Sequence, residues 1–249
     1  MRAVRILLIV AVVLGGLFVA ADRLAVNMAE SEAADKIRSS QGLPSSPDVS
    51  IKGFPFLTQV MGKEFDEVDV SLSGITASAG GHSVNVTEVK AELLDVRIDS
   101  SYSSATAGRA DGSARIAYAD LTKSAPKGAT VSYAGAERAA KGQVKLTGPL
   151  SELLEGAGVP VPGAVQALIE GRMVSTYSTV SLKDGGTVQL KAESLPSLPV
   201  PGFDEKLREA VDYDLKIEGL PSSVKLDKVE ATEDGLRFTG TGKDVSLVG

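Results

Sequence analysis

Few residues of this chain could carry out acid–base or metal chemistry. His82 is the only histidine among 249 residues, and there is no cysteine. A Ser/His/Asp triad or a zinc site needs such side chains, and His82 follows Gly80-Gly81, a sequence typical of a solvated turn. The sequence also lacks the glycine-rich phosphate motifs and the Gly-x-Ser-x-Gly elbow. We therefore expect no metal site, no cofactor and no enzymatic activity.

The remaining route to catalysis is a pair of carboxylates. Asp and Glu together number 32, and strands distant in sequence can bring two acids together as in a glycosidase. Most of these acids alternate with apolar residues, which is typical of a solvated sheet face. An envelope hydrolase with paired carboxylates is thus an alternative hypothesis.

The charge of the chain limits its partners. The formal net charge is -6, and no basic stripe interrupts the acidic pattern. Such a surface argues against nucleic acid as a partner and against attachment to anionic lipid through a polybasic face.

Residues 1–21 have the pattern of an export signal. Arg2 and Arg5 precede an unbroken apolar run from Ile6 to Ala21. This run would rise about 24 Å as a helix, which is short of a hydrocarbon core of about 30 Å and favours a signal peptide. An uncleaved N-terminal membrane anchor is the alternative. Either way, we expect residues 22–249 outside the cytoplasmic membrane as a single domain.

The segment 22–41 is predicted to be an amphipathic helix. Its apolar residues recur at spacings of three and four, with the charged residues expected on the opposite side. Gly42 and Pro44 end the pattern. The apolar residues of this pattern are Leu24 and Met28, and then Val26, Ala29, Ala33 and Ile37.

The segment Gly53–Gln59 and the residues just after it form the densest apolar cluster in a chain poor in aromatic residues. Pro55 removes a backbone donor, so this segment can be an edge strand, a strand start or a bend. Such a cluster either fills a core or lines an apolar pocket, and composition alone favours packing. The apolar residues are Phe54, Phe56, Leu57, Val60 and Met61.

From Val68 onward the apolar residues recur mainly every second position, which predicts strands. Asp184-Gly185-Gly186 predicts a hairpin turn. The Ser-, Ala- and Gly-rich stretch 100–113 reads as a loop, and 203–211 as a short helix. The stretch 149–169 reads as two short helices or an irregular connection, and 194–202 as an extended connector, with a polyproline ligand as the alternative. The fold class expected is mainly β (α+β): a curled antiparallel sheet or barrel wrapped by a long N-terminal amphipathic helix, with short C-terminal helices.

A curled sheet of this size can enclose an apolar cavity. Such a cavity without catalytic residues suits an acyl chain, because each methylene removed from water contributes roughly 0.8 kcal/mol. Lipid binding is therefore a hypothesis that the strand pattern permits.

A family resemblance makes this hypothesis more specific. The export segment, the Ala-rich helix and the run Val49–Gln59 with Gly62 resemble the LmeA family of actinobacterial cell-envelope proteins. Leu220-Pro221, Val224–Leu226 and Gly235–Gly240 also resemble the C-terminal strands of that family. Gly-Phe-Pro-Phe-Leu is the most specific part of the match.

The resemblance implies a phospholipid-binding protein with a helix-wrapped barrel similar to tubular lipid-binding domains. It also implies a place in the periplasm-like space and a role in lipoglycan and envelope biogenesis. We expect phospholipid as the partner, with membrane contact through the N-terminal segment or transiently. The alternative is a membrane-tethered scaffold or interaction protein. The expected lipid-contacting residues are Val26, Ala29, Ala33, Ile37, Phe54, Phe56, Leu57, Val60 and Met61.

Overall fold

The computed structural model describes residues 2–79, 82–101, 104–125, 128–156, 161, 163–193, 208, 212–217, 220 and 222–247. The helices are α1 (Arg2–Gln41), α2 (Phe56–Gly62), α3 (Tyr118–Ser124), α4 (Ala136–Ala139), α5 (Leu150–Gly156) and α6 (Gly163–Ile169). The strands are β1 (Asp48–Ile51), β2 (Glu64–Ala79), β3 (His82–Ile98), β4 (Ala105–Ala117), β5 (Thr130–Tyr133), β6 (Gln143–Pro149), β7 (Met173–Lys183), β8 (Thr187–Ala192), β9 (Tyr213–Lys216), β10 (Val224–Thr232) and β11 (Gly235–Ser246).

The strands form two antiparallel sheets. One has six strands in the order β1-β2-β3-β4-β11-β10, and the other has five in the order β5-β6-β7-β8-β9. The mainly β (α+β) class with a long N-terminal helix is thereby confirmed. A single closed barrel, which was one of the expected forms, is wrong, because each sheet keeps two edge strands.

The hairpin between β7 and β8 is confirmed. Lys183 pairs with Thr187 across a three-residue loop. Asp184 has φ 54° and Gly185 has φ 65°, a conformation that Gly and Asp tolerate and most residues avoid. The turn residues therefore fix the register of these two strands.

The loop expected at 100–113 is largely a strand, because β4 begins at Ala105. Ala107 is fully buried and Ala110 is 9% exposed. A Cβ on Gly108 would lie 3.2 Å from the Cβ of Asp95, so a small residue is needed where β4 passes its neighbour. Ala and Gly carry little hydrophobic signal, which is why the pattern resembles a loop although the backbone is paired.

The helices and connectors of the C-terminal half are only partly described. Two short helices within 149–169 are confirmed as α5 and α6. The expected connector 194–202 and helix 203–211 lie outside the described residues except for Arg208. β3 begins at His82, and Gly80 and Gly81 before it also lie outside.

The chain divides into two compact units. Unit 1 comprises Met1–Ser73, Lys90–Asp111 and Gly242–Gly249, and unit 2 comprises Gly74–Val89 and Gly112–Thr241. The single domain expected from residue 22 onward stays a prediction.

Unit 2 has an apolar core to which residues of both sheets contribute. Burying one such aliphatic or aromatic side chain contributes about 1.5–3 kcal/mol, so this cluster is a main source of stability within unit 2. Its buried members are Val84, Val86, Ile116, Ala129, Val131, Val144, Leu146, Val180, Val188, Leu190, Leu236 and Phe238.

Candidate functional site

One face of α1 packs within unit 1, on β1 and α2. Val26 is 5% exposed on this face, while Ala29, Ala33 and Ile37 are half-buried. Val26, Ala29, Ala33 and Ile37 therefore lie on the packed face as predicted, whereas Leu24 and Met28 are 66% and 74% exposed and do not belong to it. Its small Ala side chains allow α1 to approach the neighbouring backbone closely.

The edge strand β1 is tied to α1 by a charged residue. The backbone N–H of Ile51 donates to Glu30 Oε1 at 2.7 Å. An edge strand leaves backbone donors unpaired, and Glu30 satisfies one of them. The expectation that the charges of α1 all lie away from its packed face is therefore wrong at Glu30.

It is also wrong at Asp22, whose side chain is fully buried. Asp22 Oδ1 accepts the backbone N–H of Leu57 at 2.9 Å, in the first turn of α2. The first N–H groups of a helix have no partner within the helix, and the N-cap residue Pro55 offers no side-chain cap. Asp22 of α1 thus caps α2 from a distant part of the sequence.

This capping contact determines the ionisation of Asp22, which lies just beyond the apolar segment of α1. Burial by itself raises the pKa of a carboxyl group. Hydrogen bonds from the N–H of Leu57, from the Arg23 guanidinium and from the N–H of Phe56 outweigh burial, so the pKa of Asp22 lies below its ordinary value of 3.8. Asp22 is therefore a carboxylate at neutral pH, the charge that a helix N-terminus favours.

Arg23 links this cap to an aromatic pair. Its guanidinium lies 2.6 Å from Asp22 Oδ2 and 5.4 Å from the centre of the Phe54 ring. Phe18 meets the same ring edge-on, with 6.5 Å between ring centres. Phe54 nevertheless remains 57% exposed, so these two contacts cover only part of its ring.

The turn before α2 is shaped by Gly53 and Gln59. Gly53 has φ 93°, and a Cβ there would lie 2.6 Å from Gln59 Nε2. Gln59 donates to the carbonyl of Lys52 and accepts the N–H of Asp66. The chain leaves the turn as a helix, so the bend is found among the three forms expected at Pro55, whereas α2 itself was not anticipated.

The nine predicted lipid-contacting residues differ in how far they are buried. All of them lie on α1, on α2 or in the turn before it, and thus within unit 1. Phe56 is 4% exposed and packs against Phe65 with 6.1 Å between ring centres, as expected of a core residue. Phe54 and Met61 are 57% and 85% exposed, as expected of a surface. Leu57 and Val60 are half-buried.

Sequence reasoning missed the polar residues that build this arrangement. Asp22, Glu30 and Gln59 each bond a backbone group at least seven positions away in sequence. Asp22 stands directly after the apolar run, where a charge looks like a simple boundary marker. Only its position on the same helical face as Val26, four residues later, could have signalled burial.

Several carboxylates of the described residues serve as ion-pair and hydrogen-bond partners. Lys123 and Asn85 donate to Asp120, and Gln189 donates to Asp214. These donors hold the pKa of both carboxyls below the ordinary value, opposite to the raised pKa that a general acid needs. In the described parts of the chain, no three His, Cys, Asp or Glu residues are grouped so that they could hold a metal ion.

The fold and site define a class of protein: two antiparallel sheets and a long helix whose half-buried apolar face is held by the buried Asp22 and the partly buried Glu30. A comparison with known protein families places the chain more specifically, because residues 20–241 match the LmeA-like phospholipid-binding family. The chain belongs to that family, as the resemblance indicates. Comparisons with curated proteins and with solved structures found no match.

Proposed function

We propose that this protein is an exported, non-enzymatic cell-envelope protein that binds phospholipid in an apolar cavity. The observation that carries this proposal is the family match, which spans nearly the whole chain after the apolar segment. The lipid would contact the α1 face and the α2 segment. A role in lipoglycan and envelope biogenesis rests on the same family relation.

The distribution of apolar surface supports this location. Five of the predicted lipid-contacting residues are half-buried, so part of their apolar surface still faces solvent: Ala29, Ala33 and Ile37 on α1, and Leu57 and Val60 on α2. An acyl chain lying along this surface would remove its remaining apolar area from water, at roughly 0.8 kcal/mol per buried methylene. At that rate most of an acyl chain would have to be buried to approach nanomolar affinity, which needs about 12 kcal/mol.

The N-terminal segment supports export. Within α1 there is a stretch long and apolar enough to cross a membrane, judged by length and composition, and a signal sequence has the same properties. Arg2 and Arg5 precede it, and positive residues favour the cytoplasmic side. Residues after Ala21 would then face the envelope.

Lipid extraction tests the proposal. The full chain, purified in mild detergent from a bacterial host, should carry phospholipid at a fixed ratio when its extracts are measured by mass spectrometry. Ala33→Leu adds bulk on the half-buried face and should lower that ratio several-fold. Ser31→Leu adds the same side chain at an exposed position of α1 and should leave it unchanged.

Two results would contradict parts of this proposal. Absence of stoichiometric phospholipid, both after purification and after incubation with phospholipid vesicles, would argue against lipid binding and favour the membrane-tethered scaffold. An equal effect of the two Leu substitutions, while both proteins keep their circular dichroism, would argue against the α1 face as the binding site.

A further inference from the structure

The packed face of α1 begins inside the apolar segment and not after it. Val26, Asp22 and Phe18 lie four residues apart, so they share one helical face. Phe18 contacts Phe54, and Asp22 caps α2. Removal of residues 1–21 would take away Phe18 and leave the Phe54 ring with Arg23 as its neighbour.

The contact between Phe18 and Phe54 fixes the position of Phe54 along the axis of α1. Phe18 lies three residues before Ala21, a rise of about 4.5 Å. A side chain that touches Phe18 from the α2 segment therefore lies beside the end of the apolar run. If that run is inserted in a bilayer, Phe54 reaches the boundary between acyl chains and headgroups.

The exposure of the α2 segment agrees with that placement. Phe54 is 57% and Met61 85% exposed, and a large apolar side chain in water gains about 1.5–3 kcal/mol when it is buried. The apolar side chains from Val4 to Val19 on α1 are exposed as well. A bilayer would cover this part of α1 and the α2 segment together.

Arg23 completes a membrane-interface pattern. Its guanidinium is paired with Asp22 and stacks on Phe54, and an Arg at the end of an apolar segment typically keeps its stem beside apolar groups and its charge at the polar boundary. The apolar run of about 24 Å is short for a hydrocarbon core of about 30 Å. Phe54 and Met61 lie in the segment beside the C-terminal end of this run. Their apolar side chains would offset the difference between the length of the run and the thickness of the hydrocarbon core, as interfacial anchors do.

We propose that α1 is retained as a membrane anchor and that the segment Gly53–Gly62 rests in the lipid headgroup region beside it, with Phe54 and Met61 directed into the bilayer. The bilayer in which α1 is inserted covers these exposed side chains. This inference does not depend on lipid binding in a cavity, so either can fail without the other.

Depth-dependent quenching in vesicles tests the proposal. Because the chain has no cysteine, Phe54→Cys, Met61→Cys and Ser40→Cys each accept a single fluorescent label. Ser40 is an exposed residue of the same helix, 19 positions after Ala21 and so about 28 Å further along its axis. The full-length variants are placed in phosphatidylcholine–phosphatidylglycerol vesicles that contain lipids with a nitroxide near the headgroup.

The expected result is several-fold stronger quenching at positions 54 and 61 than at position 40. Intact-mass measurement of the unlabelled protein from membranes should also show a chain that still contains Phe18. Quenching at position 54 or 61 no stronger than at position 40 would overturn the proposal, as would a mature chain that begins at Asp22.

Discussion

Asp22 shows most clearly how a single residue organises unit 1. Its carboxylate joins α1 to the first turn of α2 and pairs with Arg23, which in turn covers part of the Phe54 ring. A buried charge is tolerated only when its hydrogen-bonding capacity is satisfied. Here two backbone N–H groups and one guanidinium satisfy it, so the whole arrangement depends on ionised Asp22.

The ionisation of Asp22 gives a pH prediction. The folded-state pKa lies below the ordinary value of 3.8, so the unfolded chain binds more protons between the two values and stability rises with pH there. The contribution of Asp22 should be fully present above about pH 4 and lost as the pH falls through the folded pKa. Urea midpoints of wild type and Asp22→Asn, compared at several pH values in mild detergent, should converge on acidification.

Asp22→Ala serves as the second variant in that series, because it removes the cap as well as the charge. It should be less stable than Asp22→Asn at neutral pH, since Asn can still accept the N–H of Leu57. A constant difference between wild type and Asp22→Asn from neutral pH down to pH 3 would show that the carboxylate is not used as described.

Phe56 and Phe54 form a matched pair of substitutions. Phe56 is buried against Phe65, so Phe56→Ala should lower the free energy of unfolding by about 3–5 kcal/mol. Phe54 is mostly exposed, and Phe54→Ala should cost about 1 kcal/mol or less. Urea denaturation of both full-length variants provides the measurement, and equal losses would contradict the division into core and surface.

At the scale of elements, turns of glycine and short polar residues determine how strands and helices follow one another. Gly53 reverses the chain before α2, and Asp184 with Gly185 closes the β7–β8 hairpin. The β10–β11 hairpin in unit 2 depends on Gly235, which has φ 148°. A Cβ at that position would overlap the carbonyl oxygen of Ile116.

Gly235→Ala should therefore destabilise unit 2. The strained φ alone costs of order 1–3 kcal/mol, and backbone of Ile116 would have to move as well. Gly186→Ala is the control, because nothing lies within 4 Å of a Cβ there. Thermal unfolding followed by circular dichroism should show a clearly lower midpoint for Gly235→Ala only. A similar midpoint for both variants would mean that β11 shifts without cost.

At the scale of the whole molecule, the acidic charge and the membership of a phospholipid-binding family together limit how lipid can be held. The net charge is -6, so the protein as a whole is not attracted to an anionic membrane. Binding through apolar surface would not need such attraction, because the hydrophobic effect does not depend on charge.

Phospholipid uptake from vesicles should accordingly resist salt. Raising the ionic strength about tenfold, from 0.1 M to 1 M, shortens the Debye length from about 10 Å to about 3 Å. The amount of phospholipid bound per protein, measured by mass spectrometry after separation from the vesicles, should stay the same or increase. A large decrease would indicate that charged headgroup contacts dominate binding.

The sequence by itself determined the mainly β class, the Val26, Ala29, Ala33 and Ile37 part of the apolar pattern of α1, the β7–β8 hairpin and the family. Each of these depends on local periodicity, turn chemistry or a short motif, which neighbouring residues specify. The tertiary structure alone decided that Asp22 and Glu30 face inward, that Phe56 is core while Phe54 is surface, and that residues 105–117 form a strand. The partners of Asp22 and Glu30 lie 35 and 21 positions away. Burial of a polar or small residue depends on such distant partners, so a local pattern gives little sign of it beyond the four-residue spacing of Asp22 and Val26.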